Sequence, residues 1–180
     1  MRSREKILDA TLDLIEKSGF EAASIAAVSK AAGVSRQTVY SIFGSREEMV
    51  SQAIASIAVS TMTELYEKLD PNRSPTEYVT EMILLGRTSI RTHPILASLF
   101  RSEQGNPVFD DGVVDRTKNV VEQLMSPLTE QNTAVADDLD DILEIVTRLT
   151  LSLVFFESDA IRTDDRLRRL LHRTLSPLLP

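Results

Sequence analysis

Residues 24–46 of the chain read SIAAVSKAAGVSRQTVYSIFGSR, and this stretch decides the fold. Ile25, Val28, Ala31 and Ala32 keep helical spacing. Gly33 then stands where a helix ends in a left-handed residue. Ser35 is a good N-cap for a second helix, and Gly44 closes that helix two turns later. The pattern predicts that the second helix buries Val39, Ile42 and Phe43. Arg36, Gln37, Thr38, Tyr40 and Ser41 are left outside. Donors, acceptors and an aromatic hydroxyl on a short, apolar-backed helix match what a DNA major groove offers in return. The reading is a helix-turn-helix.

The flanks narrow it. Upstream, REKILDATLDLIEKSGFEAAS predicts one amphipathic helix with Ile7, Thr11, Leu14 and Ile15 on a stripe, ending near Ser18-Gly19, with Phe20 as an apolar plug. Downstream, Ser45-Arg46-Glu47-Glu48 reads as a capping box that launches a long helix through Leu69. This order, G-F followed by A-G-V-S-x-x-T-V-Y-x-x-F-x-S-R-E-E-M, resembles the tetracycline-repressor (TetR) family of bacterial transcription regulators. The resemblance covers about the first 50 residues. Its spacing, caps, glycine turn and tyrosine agree over one continuous stretch.

The resemblance implies an all-α fold. A three-helix DNA-binding head would occupy residues 1–47, and a helical effector and dimerisation domain residues 48–180. It implies a repressor that binds a pseudo-palindromic operator as a homodimer and is released by a small, mostly hydrophobic effector. Three positions depart from the family's pattern. Ser29 replaces the usual Ala but stays small, and Ile42 stands where many members carry Tyr or His. Arg46 replaces a Lys and keeps a charge able to grip phosphate.

Composition sets the outer bounds. At 180 residues with 42% hydrophobic content, the chain suits one large or two small domains. No apolar run approaches a bilayer span, so no membrane partner is expected. The N-terminus lacks a signal-peptide pattern and cysteines are absent, which reads as a cytoplasmic protein. The formal net charge is −7, an awkward value for a DNA binder. Up to Val50, however, seven Lys/Arg balance seven Asp/Glu, so the acidity lies entirely beyond the head. Modest non-specific affinity and a shallow salt slope follow.

Beyond the fourth helix, Asp70-Pro71-Asn72-Arg73 is a break. Ser74-Pro75-Thr76-Glu77 supplies N-cap, Pro at N1 and Glu at N3 for a helix over about 75–92. That helix is apolar nearly all round, the mark of a central position. A short helix to about Glu103, a loop at 104–107, and a helix from about Asp111 to Met125 or beyond come next. A polar linker over 130–134 follows. The last two helices, within about 136–178, are the expected homodimer surface. Ile142, Ile145, Val146, Leu149, Leu153 and Phe156 stripe one, and Leu167, Leu170, Leu171 and Leu175 the other.

For DNA contact the candidates are Arg36, Gln37 and Ser41 at base edges, Thr38 and Tyr40 on phosphates, Ser24 and Arg46 at helix starts, and the cap Ser35. The family's effector site lies around the central helix of the C-terminal domain. On this chain that implies Met62, Tyr66, Tyr78, Met82, Leu85, Phe100, Phe109 and Leu124, with Arg87, Thr88, Ser89 and His93 as polar groups within reach. His93 and His172 have no companions at metal-ligand spacing, and no nucleophile motif or phosphate loop is present. Neither a cofactor, a metal nor an enzymatic activity is expected. Two rival readings stay open, an effector-independent architectural DNA binder and a helical enzyme or carrier. The second would need a cluster of pKa-perturbed polar groups.

Overall fold

A computed structural model describes residues 2–99, 113–156 and 158–179. Among these residues every regular element is helical. The order is α1 (Arg2–Ser18), α2 (Ile25–Ala32), α3 (Arg36–Phe43), α4 (Arg46–Lys68), α5 (Pro75–Thr92), α6 (Pro94–Leu99), α7 (Val113–Gln131), α8 (Thr133–Asp137), α9 (Leu139–Phe155) and α10 (Asp164–Leu175). Single 3-10 turns at Phe20–Ala22 and Asp159–Ile161 precede α2 and α10. The chain packs as two compact units, Met1–Met62 and Thr63–Pro180, which divide inside α4.

The first unit closes over one small core. Ile7, Leu8 and Ile15 from α1 are buried with Ala23, Val28, Val39, Phe43, Met49, Ala53 and Ile57. Thr11 is buried in the same stripe and satisfies its hydroxyl on the Ile7 carbonyl at 2.7 Å. Leu8 rather than Leu14 completes the inward face of α1. The capping box expected at α4 is half formed. Ser45 Oγ accepts from the Glu48 amide at 3.1 Å, but the Glu48 carboxylate accepts from Gln52 Nε2 instead of reaching back.

In the second unit α5 takes the central place. Ser74 and Glu77 form the full reciprocal box with Pro75 at the first helical position, so the helix starts where its sequence dictates. Its buried residues include Tyr78, Val79, Met82, Ile83, Leu84 and Arg87, and α6, α7, α9 and α10 all pack on it. Arg87 reaches α10, donating from Nη1 to Asp164 Oδ1 at 3.3 Å and from Nη2 to the Ile161 carbonyl at 3.1 Å.

Two expectations shift here. The linker over 130–134 is instead the end of α7 followed by α8. Asn132 creates the new start, because its Oδ1 accepts from the amides of Ala134 and Val135. The expected apolar stripe of α9 also splits in two. Ile142, Val146 and Leu153 face inward with Leu143, whereas Ile145 and Phe156 are 48% and 70% exposed. On α10, Leu170 lies outside while Leu167, Leu171 and Leu175 are buried, because an inward repeat of four leaves position 170 on the flank. The expected Glu103 helix end, the loop at 104–107 and the helix start at Asp111 lie outside the described residues, as do Phe100 and Phe109.

Candidate nucleic-acid interface

The turn between α2 and α3 is set by backbone geometry. Gly33 sits at φ 67° and ψ 36°, a left-handed cap that L residues with a Cβ adopt only at a cost. Its amide returns to the Lys30 and Ser29 carbonyls, and the Val34 amide bonds the Ser29 carbonyl at 3.0 Å. Ser35 Oγ then accepts from the Thr38 amide at 3.0 Å and starts α3. Gly44, at φ 76°, ends it, its N–H donating to the Tyr40 carbonyl at 2.8 Å. An eight-residue helix is thereby fixed at both ends.

Two residues hold it from behind. Val39 and Phe43, four apart, are buried and leave the opposite side free. Arg36, Gln37, Tyr40 and Ser41 are exposed, with Tyr40 at 54% despite its aromatic ring. Thr38 is half-buried on the flank, its hydroxyl 2.8 Å from that of Ser35. Ile42, expected inside, is 36% exposed, because it lies about a quarter of a turn off the Val39–Phe43 line.

The remaining candidates sit at helix starts. Ser24 is the N-cap of α2, accepting from the Ala27 amide at 3.2 Å. Arg46 is spent inward. Its Nε donates to the Ala23 carbonyl at 3.1 Å and its Nη2 to the Phe20 carbonyl, which ties the start of α4 to the 3-10 turn before α2. Those donors brace the head, a role its position beside Ser45 did not reveal. The carbonyls of a 3-10 turn carry no sequence signal of their own.

In the second unit the expected effector-site residues are mostly occupied in packing. Tyr78, Met82 and Leu124 are buried, Leu85 is half-buried and Tyr66 is exposed, while Met62, half-buried, belongs to the first unit. Tyr78 Oη donates to the Leu124 carbonyl at 2.8 Å and Tyr66 Oη to the Gln123 carbonyl. Burial raises the Tyr78 phenol to about 12, with the neighbouring Tyr66 adding to the effect. Of the polar groups, Arg87 is buried against α10, while Thr88 is exposed and accepts the Thr92 hydroxyl on its carbonyl. A separate groove of about 320 Å³ lies between the start of α9 and the segment after α10, lined by Asp138, Asp141, Ile142, Ile145, Leu175 and Leu178 among others. Among the described residues no group of three metal-ligating side chains occurs, and no helix is long and apolar enough to cross a membrane.

Residues 7–53, the whole helix-turn-helix with its flanks, match the profile described as bacterial regulatory proteins, tetR family. Over that segment the chain carries the tetR-family sequence pattern. It is 35% identical over 69 residues to the HTH-type transcriptional regulator AlkX of Mycobacterium tuberculosis, a match covering 38% of this chain and 33% of that protein. It is 29% identical over 116 residues to the HTH-type transcriptional repressor KstR of Rhodococcus jostii, covering 61% and 45% respectively. The chain thus matches a third to under half of the length of these relatives.

The solved structures extend the likeness over the full fold. The TetR family repressor AlkX of a Dietzia species superposes with a TM-score of 0.62 at 23% identity, covering 97% of this chain and 94% of that one. A TetR-family regulator from Haemophilus influenzae gives 0.54 at 19% identity, covering 95% and 94%. At such identities the likeness is one of fold. Within the tetR fold, the head's sequence pattern and its exposed α3 face coincide.

Proposed function

We propose that this chain is a cytoplasmic transcriptional repressor of the tetR family. It binds a pseudo-palindromic operator as a homodimer and leaves it when a small, mostly hydrophobic effector binds. The observation that carries the reading is the two-sidedness of α3. Val39 and Phe43 lock it down while Arg36, Gln37, Tyr40 and Ser41 stand outward, exposed among the described residues. Arg36 is suited to guanine and Gln37 to adenine, with Thr38, Tyr40 and the helix starts at Ser24 and Ser35 on the backbone. Arg46 serves this interface indirectly, by holding α4 against the turn that precedes α2.

Dimerisation through α9 and α10 is supported by Ile145, Phe156, Leu170 and Leu178, large apolar side chains that remain exposed after the second unit has packed. A two-fold dimer presents two α3 helices, and operator half-sites one DNA turn apart require them about 34–36 Å from one another. An effector that prefers a differently spaced conformer draws the population off the DNA.

The effector site is proposed around α5. Gly86 supports it, since a Cβ built there meets nothing within 4 Å among the described residues. Thr80 on α5 and Thr147 on α9 are buried, and among the described residues their hydroxyls lack partners, as does the buried Nδ1 of His93. Unsatisfied buried polar groups are uncommon, and a ligand with an apolar body and one hydrogen-bonding end would satisfy some of them. No step of chemistry is needed, so no enzymatic role is assigned.

A gel shift with the intergenic DNA upstream of the coding sequence, at two salt concentrations, tests the reading. The wild type should bind specifically. Gln37→Ala and Tyr40→Ala should each weaken operator binding by about 5- to 150-fold, the range of one good base or backbone contact, while staying folded. Variants that bind like the wild type would refute the assignment of α3.

A further inference from the structure

We propose that Arg4 is a pre-aligned phosphate clamp at the C-terminal end of the reading helix, a DNA contact separate from those on α3 itself. The proposal rests on α3 being the DNA probe, and adds a second element to the interface. Arg4 belongs to α1, 32 residues before the start of the helix it serves, so no local motif announces it. Its guanidinium carbon lies 5.9 Å from the centroid of the Phe43 ring, the last residue of α3. Its Nη2 donates to Gln52 Oε1 at 2.7 Å, and Gln52 Nε2 in turn donates to Glu48 Oε1 at 2.7 Å.

The flat guanidinium is therefore held by a ring and by an amide that is itself held. Its side chain remains exposed, and a guanidinium has five N–H donors, so several are left for a ligand. Side-chain ordering, a main cost of gripping a phosphate with a long flexible arm, is already met in the free protein.

The charge layout of the head gives this arm its purpose. The unit is neutral, with seven cations and seven acids up to Val50 and no charged residue from Ser51 to Met62. Lys17 is paired with Asp13 at 2.9 Å, and Arg46 is turned onto the Ala23 and Phe20 carbonyls. Arg36 opens α3 and Arg4 sits at its close. An eight-residue helix is about 12 Å long, close to the width of the major groove, so cations at its two ends are spaced for the strands that border the groove.

The test is the salt dependence of binding, read by fluorescence anisotropy on operator and on non-operator duplex, for wild type, Arg4→Gln and Arg4→Lys. Glutamine keeps an extended side chain over Phe43 and removes the charge. Losing one phosphate contact lowers the slope of log K against log salt by about 0.9. The affinity drop between 50 and 200 mM salt should then shrink by about 3.5-fold for Arg4→Gln on both duplexes, since a slope change of 0.9 over a fourfold salt range gives that factor. Arg4→Lys should restore most of the slope.

A merely structural Arg4 would lower the melting temperature and leave the slope unchanged, and that result overturns the proposal. So does a loss confined to the operator, which would mean base reading instead of phosphate contact. If Arg4→Gln does not fold, Gln52→Ala takes its place, freeing the arm without removing charge. Its slope should match the wild type while its affinity falls, and an unchanged affinity overturns the pre-alignment. Absence of any specific binding by the wild type would instead sink the DNA-binding reading itself.

Discussion

The Tyr66 hydroxyl on α4 donates to the carbonyl of Gln123, the α7 acceptor whose helical donor would have come from position 127, where the chain has proline. Proline has no N–H and crowds the carbonyl four residues back, so a helix carrying it must satisfy that carbonyl otherwise. The neighbouring Leu124 carbonyl accepts from Tyr78. Two tyrosines thus brace α7 at its proline.

This pairing predicts a specific non-additivity. Tyr66→Phe should cost about 1 kcal/mol, the low end of the range for an unsatisfied acceptor, because Tyr66 is partly exposed and water can substitute. Pro127→Ala restores the missing donor. In that background Tyr66→Phe should become close to neutral. Chemical denaturation of the four proteins in the cycle measures the coupling. Equal costs in both backgrounds would mean that the hydroxyl and the proline are unrelated.

Tyr78 carries a pH signature. Its phenol is buried, which favours the neutral form and places its pKa at about 12, whereas an unfolded tyrosine ionises near 10. The stabilising contribution is complete below about pH 10 and is lost as pH rises towards 12, because there the unfolded chain gives up the proton first. Thermal melts should therefore fall steeply across that window in the wild type, and less steeply in Tyr78→Phe. Identical alkaline slopes would show that the phenol reaches solvent in the native state.

What the sequence could and could not announce follows from the range of the forces involved. Helix ends at Gly33, Ser35, Gly44 and Ser74 were legible because a cap acts within three or four residues of the backbone it satisfies. Val39 and Phe43 on α3 are legible from periodicity, and the central place of α5 from its nearly all-round apolar surface. Ile42 and Leu170 were misplaced because a stripe's edge depends on how wide the neighbouring helix is, which periodicity does not record. The bracing contacts of Arg46 and Tyr66 leave no local signal, because their partners, carbonyls at Ala23, Phe20 and Gln123, are backbone atoms that any sequence would supply. The α8 turn escaped because a single asparagine decides it.

Arg46 tests the brace at the start of α4. A lysine ammonium keeps the charge but cannot span two carbonyls in a fixed fork. Arg46→Lys should cost about 1–2 kcal/mol of stability, discounted from the charge-assisted range for partial exposure. Its salt slope for DNA binding should equal that of the wild type. Full stability in Arg46→Lys, read by thermal melts, would show that the two carbonyl bonds contribute nothing.

The last prediction concerns association. A two-fold interface repeats every substitution, so one change puts two carboxylates into it. Ile145 on α9 and Phe156 at its end are already 48% and 70% exposed, so an aspartate at either should leave the fold of the second unit undisturbed. Burying it in a dimer would require desolvating two carboxylates with no partner for either. Ile145→Asp and Phe156→Asp are therefore expected to sediment as monomers at micromolar concentration with an unchanged far-UV spectrum. Each should also lose operator affinity, because a lone head reaches only one half-site. Dimers that survive both substitutions would move the proposed interface off this face of α9.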